Sequence, residues 1–167
     1  MKATTLSLVA IFASLYATLV IVMGPVSYGP IQLRIADSLI PLAMIYGWPA
    51  ALGVSLGCLV GNGINYLGTL DVALGPMANL LAAATVILLR RKPFRACLTS
   101  SLVIGLIVGG YLWTFFSPPD ILGLSLPELA GSVISITLSS LIAIAGIGYT
   151  LYKALSKTTL KTKSEEK

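Results

Sequence analysis

Histidine is absent from the 167 residues, and only 10% of the positions are charged. The lack of histidine removes the commonest metal ligand and the commonest general base. Of the two cysteines, Cys58 falls inside a hydrophobic stretch and Cys97 follows a basic one. We expect them at different depths, beyond the ~6 Å that a disulfide allows. The sequence therefore predicts neither a metal site nor a disulfide.

Enzyme motifs are also missing. The chain has no Gly-x-Ser-x-Gly, no phosphate-binding glycine loop with Lys and Ser/Thr, and no Cys/His metal spacing. We therefore predict that it is not an enzyme, uses no cofactor and cannot itself hydrolyse ATP. Its basic residues form no groove with interleaved aromatics, so nucleic acid is not an expected partner.

Apolar residues, by contrast, are abundant. Hydrophobic residues make up 56% of the chain and the mean hydropathy is +0.93, outside the usual range of soluble proteins. A helix needs about 20 apolar residues to cross a hydrocarbon core. The sequence predicts an all-α bundle of six transmembrane helices in a domain of residues 1–156, followed by a polar tail, 157–167. The spans are predicted at about 3–23, 31–46, 49–67, 72–89, 96–116 and 129–152.

The second and third spans come from one apolar stretch that is too long for a single crossing. Trp48-Pro49, after Gly47, divides it, because proline disfavours helix at the preceding residue. The second segment, from Ile35 to Tyr46, would rise only ~18 Å as an α-helix. It must therefore take residues from 30–34 or fail to cross fully.

The charges predict the orientation. Six crossings put Lys2, the four bases of residues 90–95 and the five lysines from Lys153 onward on one side. The positive-inside rule makes this side cytoplasmic, together with both termini. The other side receives one base and four acids, for a charge of about −3; these residues are Arg34, Asp37, Asp71, Asp120 and Glu128.

Polar residues within the spans collect toward the outer side. Polar groups at membrane depth are costly unless they face a partner or a wet cavity, so their shared depth predicts an outward-facing binding pocket. Asn62, Asn65 and Tyr66 are expected on one helix face. The other candidates from the depth pattern are Asp71, Asn79, Tyr111, Trp113, Glu128, Ser132 and Ser135. Arg34 and Asp37 are further candidate binding residues.

Each group also has a structural explanation. Asn62 and Asn65 can join helices by hydrogen bonds, Tyr111 and Trp113 suit interfacial aromatics, and Arg34 can pair with Asp37. In the first span, small residues recur at Ala3, Ser7, Ala10, Ser14 and Ala17, with Ala13 beside them. Such a stripe lets helices approach closely, and taken alone it favours an internal packing face.

Three segments carry a resemblance to a known family. YGPIQLRIADSL (residues 28–39), WPAALG (48–53) and GCLVGN (57–62) resemble the QueT family of queuosine-precursor transporters, the substrate-binding S-components of energy-coupling factor (ECF) transporters. Segment order and length agree over nearly the whole chain. Asp37 stands where the family more often has Glu, which leaves a carboxylate in place.

The resemblance implies a multi-pass protein of a prokaryotic cell membrane, with an outward pocket closed by the first loop. It implies partners as well: a small-molecule substrate, a transmembrane coupling protein and two cytosolic ATPases. The contacts to the coupling protein would map onto Ala10, Ala13, Ser14 and Ala17.

The implied substrate is a 7-deazaguanine base such as 7-aminomethyl-7-deazaguanine, or queuine. Its N–H edge suits a carboxylate, its carbonyl an amide donor and its flat face an aromatic ring. The carboxylate would be Asp37, Glu128 or Asp71, the amide Gln32, Asn62 or Asn79, and the aromatic Trp113, Tyr28 or Tyr111. Two alternatives remain, namely a similar transporter for another vitamin or nucleobase and a membrane scaffold without transport activity.

Overall fold

The computed structural model describes residues 2–24, 33–115 and 127–165, with side chains up to residue 158. The described residues are helical and contain no β-strand. In chain order the elements are α1 (Ala3–Val22), the 3-10 helix η1 (Ile35–Leu42), α2 (Ala43–Tyr46), α3 (Trp48–Ile64), α4 (Thr69–Leu88), α5 (Pro93–Leu112), α6 (Glu128–Ser140), a π-helical segment (Leu141–Gly148) and α7 (Tyr149–Glu165).

Four of the described helices are long and apolar enough to cross a membrane. They are Ala3–Val22, Thr69–Leu88, Pro93–Leu112 and the continuous stretch Glu128–Thr158. Two further apolar helices, Ile35–Tyr46 and Trp48–Ile64, are shorter. The all-helical, multi-pass fold is therefore confirmed, whereas the count of six crossings stays a prediction.

The first short helix gains length from its geometry. Residues Ile35–Leu42 form a 3-10 helix, with Pro41 inside it, before the α-helical turn Ala43–Tyr46. A 3-10 helix rises ~2.0 Å per residue against 1.5 Å in an α-helix, so the pair spans about 22 Å. This exceeds the ~18 Å expected for an α-helix but stays below the ~30 Å of a hydrocarbon core.

The predicted break at Gly47 is confirmed. Gly47 has φ 67° and ψ −149°, a conformation that favours glycine because it has no Cβ. Helix α3 begins directly afterwards, with Pro49 in its first turn, where the missing N–H costs nothing. The chain therefore reverses between α2 and α3 without leaving the bundle.

Glycines let α1 and α3 pack with their backbones close together. A Cβ at Gly57 would lie 2.6 Å from the Ala13 carbonyl oxygen and 2.7 Å from Tyr16 Cβ, and one at Gly61 would lie 2.7 Å from Val20 Cγ1. Gly53 approaches Phe12 in the same way. The paired numbers rise together along both helices, so α1 and α3 run parallel.

A second glycine seam joins α5 to α6. Gly109 faces the backbone of Val133, and Gly105 faces Thr137. The numbers run in opposite directions here, so these two helices are antiparallel. The last helix continues to Glu165, so the predicted polar tail begins as helix, whereas the end of the last span at about 152 stays a prediction.

The short turns give the bundle two chemically different ends. One end of the bundle contains the start of α3, the turn 89–92 and the start of α5. We call it the basic end, since the turn holds Arg90, Arg91 and Lys92. Helix α1 also begins at this end, because it runs parallel to α3. The identity of the side that faces the cytoplasm stays a prediction from the charges.

Candidate functional site

Away from the basic end, polar side chains from five structural elements meet inside the bundle. None is more than 6% exposed. Removing such groups from water is costly unless they are hydrogen-bonded or paired. We call this group the buried polar cluster, and it comprises Tyr16, Arg34, Asp37, Cys58, Asn62, Asp71, Asn79 and Tyr111.

Asp71, in the first turn of α4, joins three helices and the residue that precedes η1. Its Oδ1 accepts a hydrogen bond from Tyr111 at 2.7 Å and forms an ion pair with Arg34 Nη2 at 3.4 Å. Arg34 Nη1 also lies 3.8 Å from Cys58 Sγ. Among the described residues, Asp71 Oδ2 is buried and has no hydrogen-bond partner. This oxygen is therefore a buried acceptor that no described residue satisfies.

A second set of contacts centres on Tyr16 of α1. Its hydroxyl donates to Asp37 Oδ1 at 2.5 Å and accepts from Asn79 Nδ2 at 2.6 Å. Tyr16 is fully buried and Asn79 is 1% exposed. The phenol thus connects the first turn of η1 to the middle of α4.

A glycine makes room for the amide of Asn62. A Cβ at Gly75 would lie 2.5 Å from Asn62 Nδ2, so a larger residue there would displace the amide. Asn62 Nδ2 donates to the backbone carbonyl of Asp71 at 3.0 Å. Helices α3 and α4 are thereby joined at the level of the ion pair.

The charges of the buried polar cluster are unequal. It contains one guanidinium, that of Arg34, and two carboxyl groups, those of Asp37 and Asp71. With both carboxylates ionised, the cluster carries one negative charge in excess. A single positive charge on a ligand would balance it.

The structure brings together six of the residues that the sequence offered as pocket candidates. They are Arg34, Asp37, Asn62, Asp71, Asn79 and Tyr111. Two other predicted residues, Tyr28 and Gln32, and the first loop lie outside the described residues.

Four other predicted residues are placed apart from the cluster. Asn65 is half-buried and its amide lies 3.5 Å from the Gly61 carbonyl. Tyr66 is 63% exposed, Trp113 is 38% exposed and Glu128 is exposed at the start of α6. The expectation that Tyr66 shares a helix face with Asn62 was wrong, because α3 ends at Ile64 and helical spacing does not extend beyond it.

Sequence reasoning did not fix the roles of three members of the cluster. Tyr111 was a pocket candidate that also suited an interfacial aromatic; it is 6% exposed and donates to Asp71. Cys58 is free and buried, as expected, but it lies beside a guanidinium. Tyr16 was not a candidate at all. A tyrosine in the middle of a span was the available signal, because a buried phenol requires a hydrogen-bond partner.

The small-residue stripe of α1 does not form the internal face that its spacing favoured. Ala10 and Ser14 are exposed, Ala13 is half-buried and Ala17 is buried. The internal face of α1 consists of larger residues, Val9, Phe12, Tyr16 and Val20, because the glycines of α3 supply the space. Much of the stripe is thus left on the outer surface of the bundle.

Among the described residues, no group of three His, Cys, Asp or Glu side chains could hold a metal ion.

Comparison with known proteins identifies the family. The family model described as QueT transporter matches residues 6–157, nearly the whole chain. The chain belongs to the QueT transporter family. This is a family of transporters and not of enzymes, and transport across a membrane agrees with the four long apolar helices of this QueT chain. Searches of curated proteins and of solved structures gave no match.

Proposed function

We propose that this chain is the substrate-binding subunit of an ECF transporter for a queuosine precursor, and that the buried polar cluster is its binding site. The carrying observation is the cluster itself, where Arg34, Asp37 and Asp71 lie within the apolar part of a transporter chain. Ionisable residues inside a membrane protein usually mark a substrate path or site.

The hydrogen-bonding groups suit a 7-deazaguanine base. The Oδ2 of Asp71, which has no partner among the described residues, accepts from the adjacent N–H donors of a guanine-like edge, and charge-assisted hydrogen bonds of this kind are strong. The amides of Asn62 and Asn79 supply donors for the ring carbonyl. Tyr111, packed at Asp71, offers an aromatic face.

The charge balance favours the members of this class that carry a basic amine. The aminomethyl group of 7-aminomethyl-7-deazaguanine is cationic at neutral pH, whereas the cyano analogue is neutral. With both carboxylates ionised, a cation would balance the excess negative charge of Asp37 and Asp71 over Arg34. We therefore propose the aminomethyl compound, in preference to its cyano analogue, as the ligand.

The exposed part of the α1 stripe supports the partnership. Ala10 and Ser14 lie on the outer surface of the bundle, where no described helix covers them. Small exposed residues at this spacing allow a partner helix to approach closely. We propose that a transmembrane coupling protein packs here and that two cytosolic ATPases supply the energy.

The ligand is tested by thermal stability of the detergent-purified protein. The panel contains queuine, the aminomethyl and cyano deazaguanines, guanine, riboflavin, biotin and thiamine. A ligand at 100 times its Kd adds about 2.7 kcal/mol of stability. We expect the largest shift with the aminomethyl compound and none with guanine.

The other outcomes separate the alternatives. A shift with a vitamin alone contradicts the substrate and retains the transporter class. If no compound shifts the melting temperature and Asn79→Leu only lowers stability, the polar residues serve as helix-joining groups of a scaffold.

The partnership is tested by copurification with the coupling protein and the ATPases. Ala10→Leu should abolish copurification and leave ligand binding intact, because the larger side chain blocks close approach. Gly110→Leu is the matched control, since Gly110 is exposed on α5 and a Cβ at this position would meet nothing within 4 Å. Equal copurification of both variants would contradict the proposed contact.

A further inference from the structure

A second site is suggested by a groove at the basic end, far along the helices from the buried polar cluster. The groove has a volume of about 670 Å³. It lies between the start of α3 and the end of α4, and it is lined by Gly47, Trp48, Ile87, Leu88, Arg90 and Arg91.

One part of the groove lining is cationic. Arg90 and Arg91 are both exposed. Neither forms an ion pair with a described acidic side chain; the ion pair seen among the described residues joins Arg34 to Asp71. Two adjacent guanidinium groups suit a phosphate, because each offers a planar set of N–H donors. This part of the groove therefore favours binding of an anion.

The other part of the lining is apolar. Leu88 is 77% exposed and Trp48 is 53% exposed, and Ile87 is half-buried beside them. A free inorganic anion gains nothing from these side chains, whereas an amphiphile places its chain against them. Tryptophan is also characteristic of the boundary between hydrocarbon and headgroups.

We propose that this groove binds an anionic phospholipid, with its phosphate on Arg90 and Arg91 and the start of an acyl chain against Trp48 and Leu88. The charge complementarity and the mixed lining at a helix end carry the proposal. Basic pockets between transmembrane helices bind anionic headgroups in this way. The site is separate from the proposed substrate site and does not depend on it.

The experiment uses the delipidated full-length protein in detergent. Phosphatidylglycerol or phosphatidylcholine is added in mixed micelles, and bound lipid is measured by native mass spectrometry. Arg90→Gln/Arg91→Gln removes the two groove cations. Lys92→Gln/Arg95→Gln is the matched control, because it removes two charges at the same end from residues that do not line the groove. The melting temperature is followed in parallel titrations with inorganic phosphate and with phosphatidylglycerol.

We expect phosphatidylglycerol to bind in preference to phosphatidylcholine. At about 1 kcal/mol for each basic residue near a membrane surface, the groove variant should bind it about 30-fold more weakly, with little change in the control. Trp48→Ala should weaken lipid binding to a smaller extent.

Three results would overturn the proposal. They are equal binding of the two lipids, equal losses in the groove and control variants, and a stabilisation by inorganic phosphate as large as that by the lipid. If the double groove variant does not fold, Arg90→Gln with Lys92→Gln as its control gives the same comparison at about half the free-energy effect.

Discussion

Arginine occurs in two contrasting environments in this protein. Arg34 is 6% exposed and forms an ion pair with Asp71 inside the buried polar cluster. Arg90 and Arg91 are exposed in the turn at the basic end. The same guanidinium group is thus part of the interior at one site and part of the surface at the other.

The contrast shows how burial determines the role of a charge. A buried ion requires its partners, because removal of one leaves the other uncompensated in a medium of low dielectric constant. An exposed arginine at the end of a helix is solvated and contributes to orientation or to surface binding. The consequences of substitution should therefore differ greatly between the two sites.

The largest effect is expected for Arg34→Gln. It leaves Asp37 and Asp71 without the guanidinium, and breaking a buried pair costs about 3–5 kcal/mol. Arg90→Gln is the control and should change the free energy of unfolding by less than about 0.5 kcal/mol. Unfolding of both purified variants in mixed micelles, titrated with denaturing detergent, gives the two values. Similar values for both would contradict the contrast.

An intermediate effect is expected for Gly57→Ala, which tests the packing that holds Tyr16 in place. The new Cβ would lie 2.6 Å from the Ala13 carbonyl oxygen and 2.7 Å from Tyr16 Cβ. Overpacking of this kind costs about 1–3 kcal/mol. The same unfolding assay measures it.

Gly63→Ala is the control for Gly57→Ala, since it lies on the same helix and a Cβ there meets nothing within 4 Å. It should be neutral or stabilising, because alanine restricts the unfolded chain more than glycine does. Destabilisation of Gly63→Ala to the same extent would show that helix propensity, and not the contact with α1, explains the result.

An effect of similar size is expected for Tyr16→Phe. Loss of the phenol leaves Asp37 Oδ1 without its 2.5 Å donor and Asn79 without its 2.6 Å acceptor. Unsatisfied buried groups cost about 1–3 kcal/mol. Tyr66→Phe is the control, because Tyr66 is exposed and hydrogen-bonded to Thr69, and it should have almost no effect on stability. The melting temperatures of the two variants are compared with that of the wild type. If Tyr16→Phe melts like the wild type, the Tyr16 contacts contribute no net stability.

Composition and the positions of glycine and proline predicted much of the helical organisation. The apolar stretches and the break after Gly47 follow from hydropathy and from backbone sterics, which act within a few residues. The 3-10 geometry of Ile35–Leu42 and the helical continuation to Glu165 were missed. Such features depend on packing against other helices, which a local pattern does not contain.

The sequence predicted the level of the candidate-site residues along their helices, but not which way each side chain faces around the helix axis. Counting residues from a helix end placed Asn62, Asp71 and Asn79 at similar levels, and all three are buried together. Tyr16 and Asn79 are 63 residues apart in the chain, and no local spacing relates them. The fold supplies that contact by packing the glycine face of α3 against α1, which turns Tyr16 inward.

The central claim is that the buried polar cluster binds a cationic deazaguanine. The most direct measurement is the Kd of 7-aminomethyl-7-deazaguanine, obtained by isothermal titration calorimetry. It is measured for the wild type, Asp71→Asn and Glu128→Gln; each variant lacks one carboxylate. Loss of a buried charged hydrogen bond costs about 2–5 kcal/mol, so Asp71→Asn should weaken binding at least about 30-fold. Glu128→Gln should bind like the wild type. Equal affinities for Asp71→Asn and the wild type, or a loss confined to Glu128→Gln, would contradict the account.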